Sequence, residues 1–135
     1  MKKLILFTLS FLALSSQAQA FMNIYISQRT IYPNQICHFQ LSEVDFRYAI
    51  EWKYSLANDV NSVKSLPENA FAKCSTDKCT VYGKDFEKGI PYYFSARQFI
   101  DANNNRKHDD GEFARDWSSP APTVDGTDYN NRCTF

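Results

Sequence analysis

Large apolar residues recur at every second position in three separate stretches of this chain. Cys37, Phe39 and Leu41 are separated by His38 and Gln40. Ile50, Trp52 and Tyr54 are separated by Glu51 and Lys53, and Tyr92, Phe94 and Ala96 alternate with Tyr93, Ser95 and Arg97. A period of two puts one set of side chains on each face of a strand, so these stretches read as half-buried strands of antiparallel sheets. Helical periodicity is poor throughout the region after residue 20. With 16% Phe, Trp and Tyr, the chain has the large side chains that a small sandwich core needs.

Turn chemistry separates the runs. Tyr32-Pro33-Asn34-Gln35 divides a first strand, over about residues 23–31, from the next. Residues 56–78 are polar, with Asn58-Asp59 and Pro67-Glu68-Asn69, and leave room for short edge strands around Val63 and Phe71. Lys88-Gly89 forms a turn before the third alternating run. Residues 125–135 form a polar tail. The expected architecture is all-β, a single antiparallel β-sandwich of about seven strands.

The first twenty residues read as a cleaved secretory signal rather than part of the fold. Lys2 and Lys3 precede an apolar run over residues 4–14, and Ala18-Gln19-Ala20 has the small-x-small form of a cleavage site. One domain is then expected over residues 21–135, secreted or periplasmic, with no membrane span in the mature chain. The whole sequence balances 15 Lys and Arg against 15 Asp and Glu, and loss of Lys2 and Lys3 leaves a net charge of −2 (13 − 15). Weak acidity argues against a nucleic-acid partner, which needs a basic face to displace counterions.

Cys37, Cys74, Cys79 and Cys133 make an even count behind an export signal, which implies disulfides. Three pairings are possible, and the preferred one is Cys74 with Cys79 and Cys37 with Cys133. The first closes a turn-like Ser75-Thr76-Asp77-Lys78 loop, and the second ties the polar tail to an early strand. A zinc site is the competing reading; the four-residue spacing and exported setting disfavour it.

Residues 80–122 resemble the second half of a fibronectin type III domain. Gly83 and Phe86 precede the Lys88-Gly89 turn, and Tyr92 follows Phe86 by six positions. The resemblance implies that Tyr92 is a corner tyrosine, with a buried ring and a hydroxyl bonded to nearby backbone. It also implies that residues 92–100 and Trp117-Ser118-Ser119-Pro120 are the last two strands, and that Ile50-Glu51-Trp52-Lys53-Tyr54 is the third. Trp52 and Phe86 become core residues. The second strand lacks the family's tryptophan, with Phe39 in its place, and Gln98 stands where a small apolar residue belongs.

Residues 101–112 read Asp-Ala-Asn-Asn-Asn-Arg-Lys-His-Asp-Asp-Gly-Glu. Oxygen-bearing side chains fall at positions 1, 3, 5, 9 and 12: Asp101, Asn103, Asn105, Asp109 and Glu112. With the Lys107 carbonyl at position 7, this is the spacing by which a chain wraps calcium, and the segment resembles an EF-hand or dockerin loop. It departs at position 6, where Arg106 replaces glycine, and at position 8, which is His108. Two other readings compete: a solvated Asx-rich turn, and a loop in which Arg106, Lys107 and Arg115 neutralise Asp109, Asp110 and Glu112.

Catalytic constellations are thin. His38 falls on an outer strand face, His108 lies in the acidic loop, and Ser118 and Ser119 precede a proline. Tyr48, Tyr93, Phe99 and Phe113 fall on or beside outward positions and could pair across a solvated sheet face or bind a sugar or protein. The expected function is a non-catalytic binding or adhesion-type module for a protein or glycan partner. The alternatives are a small secreted glycan hydrolase using Asp109 and Asp110, and a structural or inhibitor-like protein that pairs an edge strand with a partner.

Overall fold

A computed structural model of the chain describes residues 23–56, 59–66, 73–74 and 76–135. The signal reading of residues 1–20 and the expected edge strand at Phe71 lie outside these residues. Seven strands run in order: β1 (Tyr25–Tyr32), β2 (Ile36–Ser42), β3 (Ala49–Leu56), β4 (Asp59–Ser65), β5 (Lys78–Tyr82), β6 (Pro91–Phe99) and β7 (Arg132–Thr134). They form two antiparallel sheets, β1-β2-β5 and β4-β3-β6-β7. The fold is therefore an all-β, sandwich-like pair of sheets. Among the described residues no helix is long and apolar enough to cross a membrane.

The alternation seen in the sequence is the alternation of burial. Cys37, Phe39 and Leu41 of β2, Ile50 and Trp52 of β3, and Tyr92, Phe94 and Ala96 of β6 all point into one core. Phe39 is the hub, with its ring centroid 5.0 Å from Phe94 and 6.4 Å from Trp52. β3 and β6 pair over eight residues without a shift, from Ala49 opposite Phe99 to Leu56 opposite Tyr92. β1 carries an irregularity between Ile26 and Gln28, which explains why its apolar residues do not alternate cleanly.

The two disulfides join Cys37 with Cys133 and Cys74 with Cys79, with Cα atoms 6.5 Å and 4.0 Å apart. The first links β2 to β7 and so staples one sheet to the other. The second closes a short loop in front of β5.

At one end a 3-10 turn (Gly83–Asp85) leads into the Lys88-Gly89 bend. A β-carbon at Gly83 would lie 3.0 Å from both Gln35 Cβ and Phe135 Cδ1, so any other residue there would have to push these side chains aside by a few tenths of an ångström. Phe86, Tyr92, Tyr54 and Phe135 pack as an aromatic cluster, with Phe86 stacked on Phe135 at 5.2 Å. The Tyr92 hydroxyl accepts the Glu87 N–H at 3.0 Å.

Residues 117–120 do not form the regular closing strand expected of them. The 113–118 segment runs beside β6 irregularly, with Phe113 and Ala96 carbonyls and the Ile100 and Ser118 N–H groups making two contacts of 2.8 Å. The last regular strand is β7, which pairs with β6 over Pro91 to Tyr93. Trp117-Ser118-Ser119-Pro120 cannot complete a ladder because Pro120 lacks a donor and the Ser118 hydroxyl itself bonds the Ala96 N–H at 3.0 Å.

Candidate functional site

Because β3 starts opposite the end of β6, the turn before β3 and the loop after β6 emerge side by side. Residues 43–48 and 101–112 thus form one end of the molecule. Gln98 couples them: it is 0% exposed, and its side-chain oxygen accepts the Asp45 N–H at 2.8 Å. The buried Gln98 amide therefore has a partner in the turn. Asp45 in turn holds Arg47 through its Nε and Nη2 at 3.0 and 2.6 Å. The Arg47 hydrogen bonds keep the Asp45 carboxyl below the usual carboxylate range. This turn leaves Phe46 at its tip, 75% exposed.

The 101–112 loop is organised by its own polar groups. Asp101 accepts the N–H groups of Asn105 at 3.2 Å and Arg106 at 2.8 Å. Asn105 Oδ1 accepts the Lys107 N–H at 2.9 Å, and Asn103 Oδ1 accepts that of Asn105 at 3.3 Å. Glu112 spans the loop's two ends, taking Ala102 N–H and Asp109 N–H at 2.6 Å each. Asp109 accepts the side-chain amides of Asn103 at 2.9 Å and Asn105 at 2.7 Å, and these bonds hold its carboxyl below the usual range. Arg106 has φ 64° and Asn104 φ 57°. The sharp left-handed turn that a glycine would make at position 6 is thus made with an arginine in place.

The fit to calcium has two sides. The backbone adopts the turn, and the oxygens of Asp101, Asn103, Asn105, Asp109 and Glu112 belong to one loop. Each of those residues already accepts at least one N–H on a side-chain oxygen, and among the described residues no group of three or more His, Cys, Asp or Glu side chains is placed to hold a metal.

His108 anchors the loop to the sheet. Its ring meets Phe99 edge-on at 5.6 Å. Its Nδ1 lies 3.3 Å from Arg97 Nη2, and its Nε2 lies 2.9 Å from the Glu112 carbonyl. A guanidinium can only donate, so Nδ1 is the acceptor and the ring proton sits on Nε2. Arg97 also holds Glu51 at 2.8 Å and lies 4.4 Å from the Trp117 ring centre. Lys53 lies 4.0 Å from the same ring. Burial first, and then Arg97, push the Lys53 ammonium below its ordinary value.

This packing overturns one expectation. Phe99 is not an outward-facing residue; it is 0% exposed. The loop folds back over it through His108 and a bridge from Phe99 to Ala114, which breaks the alternation of β6 at its last residue. Phe113 is exposed, whereas Tyr48 and Tyr93 are half-buried. His38 lies on the outer face of β2, where its Nδ1 meets Thr80 Oγ1 at 2.9 Å.

Two concavities flank the loop, each ≈ 440 Å³. The first lies between the turn and the loop, where Phe46, Arg47, Tyr48, Ile100, Asn104 and Arg106 contribute to its wall. The second, beyond the end of β4, is lined by Glu51, Trp52, Ser65, Leu66, Arg106, Lys107 and His108. Arg106 borders both. Sequence reasoning did not single out Phe46 or Ile100, because a lone apolar residue in a polar turn has no periodicity to mark it. The Asp45-Phe46-Arg47 spacing was the available signal, since an Asx turn places the intervening side chain at its tip. The chain matches no known family model, no curated protein and no solved structure.

Proposed function

We propose that the protein is a secreted or periplasmic, fibronectin type III-like, non-catalytic binding module that engages a protein or glycan partner through the end formed by residues 43–48 and 101–112. The observation that carries this reading is the pairing of two exposed apolar side chains, Phe46 and Ile100 at 75% and 43%, on the wall of one concavity with Arg47 and Arg106. Apolar anchors rimmed by polar groups suit recognition. The fibronectin-like assignment is supported by the Tyr92 hydroxyl on the Glu87 N–H. It is also supported by the fourth strand, which joins the sheet of the third, sixth and seventh, unlike the constant-type immunoglobulin order.

The loop is read as calcium-binding through Asp101, Asn103, Asn105, the Lys107 carbonyl, Asp109 and Glu112. Calcium would take the place of the neutral amide donors that Asn103 and Asn105 now offer the Asp109 carboxylate. A lowered Asp109 also suits an acceptor better than a glycan-cleaving acid, which needs a raised pKa.

Capture from envelope and glycan fractions tests the reading. Wild type should retain a partner in calcium, Phe46→Ser with Ile100→Ser should lose it, and Asp101→Ala with Glu112→Ala should remove the calcium dependence. Equal retention by the Phe46 and Ile100 variant would place binding elsewhere. Absence of calcium heat in a calorimetric titration at millimolar concentration would remove the ion from the account.

A further inference from the structure

Residues 101–112 are held mainly by their own side chains. Among the described residues, two backbone–backbone hydrogen bonds lie within this loop, from the Asn104 N–H to the Asp101 carbonyl and from the Glu112 N–H to the Asp109 carbonyl. Neither belongs to a strand ladder, so the loop can open without parting any pair of strands. Residues 102–107 are all exposed, and Asn104 and Arg106 take left-handed φ values. Exposed polar loop tips are the preferred places for an endopeptidase to nick a folded chain.

Two adjacent basic residues, Arg106 and Lys107, stand at this tip. Neither side chain makes a salt bridge or hydrogen bond among the described residues, which leaves both able to enter the acidic specificity pocket of a trypsin-like protease. Other exposed cations are engaged or sit on ordered backbone. Arg47 is clasped by Asp45 within the 43–48 turn, and Lys73 and Lys84 lie over the Tyr82 ring. Lys88 precedes Gly89, whose N–H is bonded to the Phe135 carbonyl at 2.7 Å.

The disulfide between Cys37 and Cys133 decides what a cut here would do. The piece before the cut carries Cys37 and the piece after it carries Cys133, so the two stay covalently joined. The second piece also keeps β7 on β6 and the Arg29 bonds to the Tyr129 and Arg132 carbonyls. Across the cut the loop is closed by Glu112 on the Ala102 N–H and by Asp109 on the Asn103 and Asn105 amides, all of them exposed contacts. Cutting therefore opens the loop and spares the sandwich.

We propose that Arg106-Lys107 is a processing site, at which an endopeptidase specific for basic residues cuts after Arg106 or Lys107 and switches off the binding end while Cys37–Cys133 keeps the pieces together. Water adds to the peptide carbonyl carbon, the C–N bond breaks, and the new ends are a carboxylate and an amino group. Binding is lost because Asn104 and Arg106 share the wall of one concavity with Phe46 and Ile100. That consequence rests on the reading of this end as the binding surface.

Limited trypsin digestion of the oxidised protein, with mass mapping before and after reduction, tests the proposal. The first cut within residues 23–135 should fall after Arg106 or Lys107, and Arg106→Gln with Lys107→Gln should remove it. The nicked protein should still unfold cooperatively and should lose partner capture. A first cut after Arg47, Lys64, Lys73 or Lys88 overturns the proposal, as does unfolding on cutting. Capture undiminished by the nick overturns it too. In that case the binding reading stands if Phe46→Ser with Ile100→Ser still abolishes capture, and falls with the switch if it does not.

Discussion

Arg106 has a backbone φ of 64°, in the left-handed region where a β-carbon crowds the following carbonyl. The conformation costs a residue other than glycine roughly 1–2 kcal/mol, and glycine gives back part of that through its freer unfolded chain. Arg106→Gly should therefore stabilise the protein by about 0.5–1 kcal/mol in urea unfolding. A loss of stability would mean that the guanidinium itself holds the loop. In the tail, Asp125 accepts Thr123 Oγ1 at 2.6 Å, the Thr127 N–H at 3.1 Å and Thr127 Oγ1 at 2.9 Å. The Thr123 hydroxyl first, and then the Thr127 groups, lower its pKa to about 2. A carboxyl lowered on folding stabilises the fold above its unfolded value, near 3.8, and that contribution fades as pH falls toward about 2. Proton titration by NMR should find Asp125 near 2 in wild type and higher in Thr123→Val; an unshifted Asp125 would mean that the Thr–Asp contacts are not populated in solution.

Among the elements, β7 owes most to covalent chemistry. It has only three residues and bonds β6 over three positions, yet its central residue is Cys133, tied to β2 across a sequence separation of 96. Loop-closure entropy for so long a loop is worth about 4–5 kcal/mol, against about 2 kcal/mol for the five-residue separation of Cys74 and Cys79. Oxidised Cys37→Ser/Cys133→Ser should be destabilised by about twice as much as Cys74→Ser/Cys79→Ser in denaturant unfolding. Similar losses from the two would show that β7 is held by its packing. Arg29 reinforces the same region from β1, donating to the Tyr129 and Arg132 carbonyls at 2.8 and 2.7 Å and pairing with Asp128 at 2.9 Å. These elements also mark where sequence was readable. Strands β2, β3 and β6 announced themselves because one face is dry and the other wet, which prints a period of two. Phe99 broke that rule because dryness on its other side comes from a loop that folds back, a tertiary fact with no local signature. The tail strand was hidden for a similar reason, since Cys133 and Arg29 hold it and its own residues carry no pattern. Gln98 looked out of place by composition alone, and only its bond to Asp45 gives it a reason.

For the whole molecule, the unshifted pairing of β3 with β6 sets the functional geometry. It brings the turn at 43–48 and the loop at 101–112 to one end, while the aromatic cluster of Tyr54, Phe86, Tyr92 and Phe135 closes the other. The spacing of the calcium-type loop was legible from sequence because ligand positions follow one another along the chain. The groove beside it was not, because Phe46 and Ile100 are 54 positions apart in the numbering and meet only through the register of two strands. A rival arrangement would use the edge of the four-stranded sheet, where β4 lies outermost. Amide hydrogen exchange with a captured partner separates the two most directly. Protection should rise over residues 43–48 and 100–112 and leave β4 unchanged. Protection confined to Asp59–Ser65, with the loop end unaffected, would contradict binding through the loop and assign it to the sheet edge.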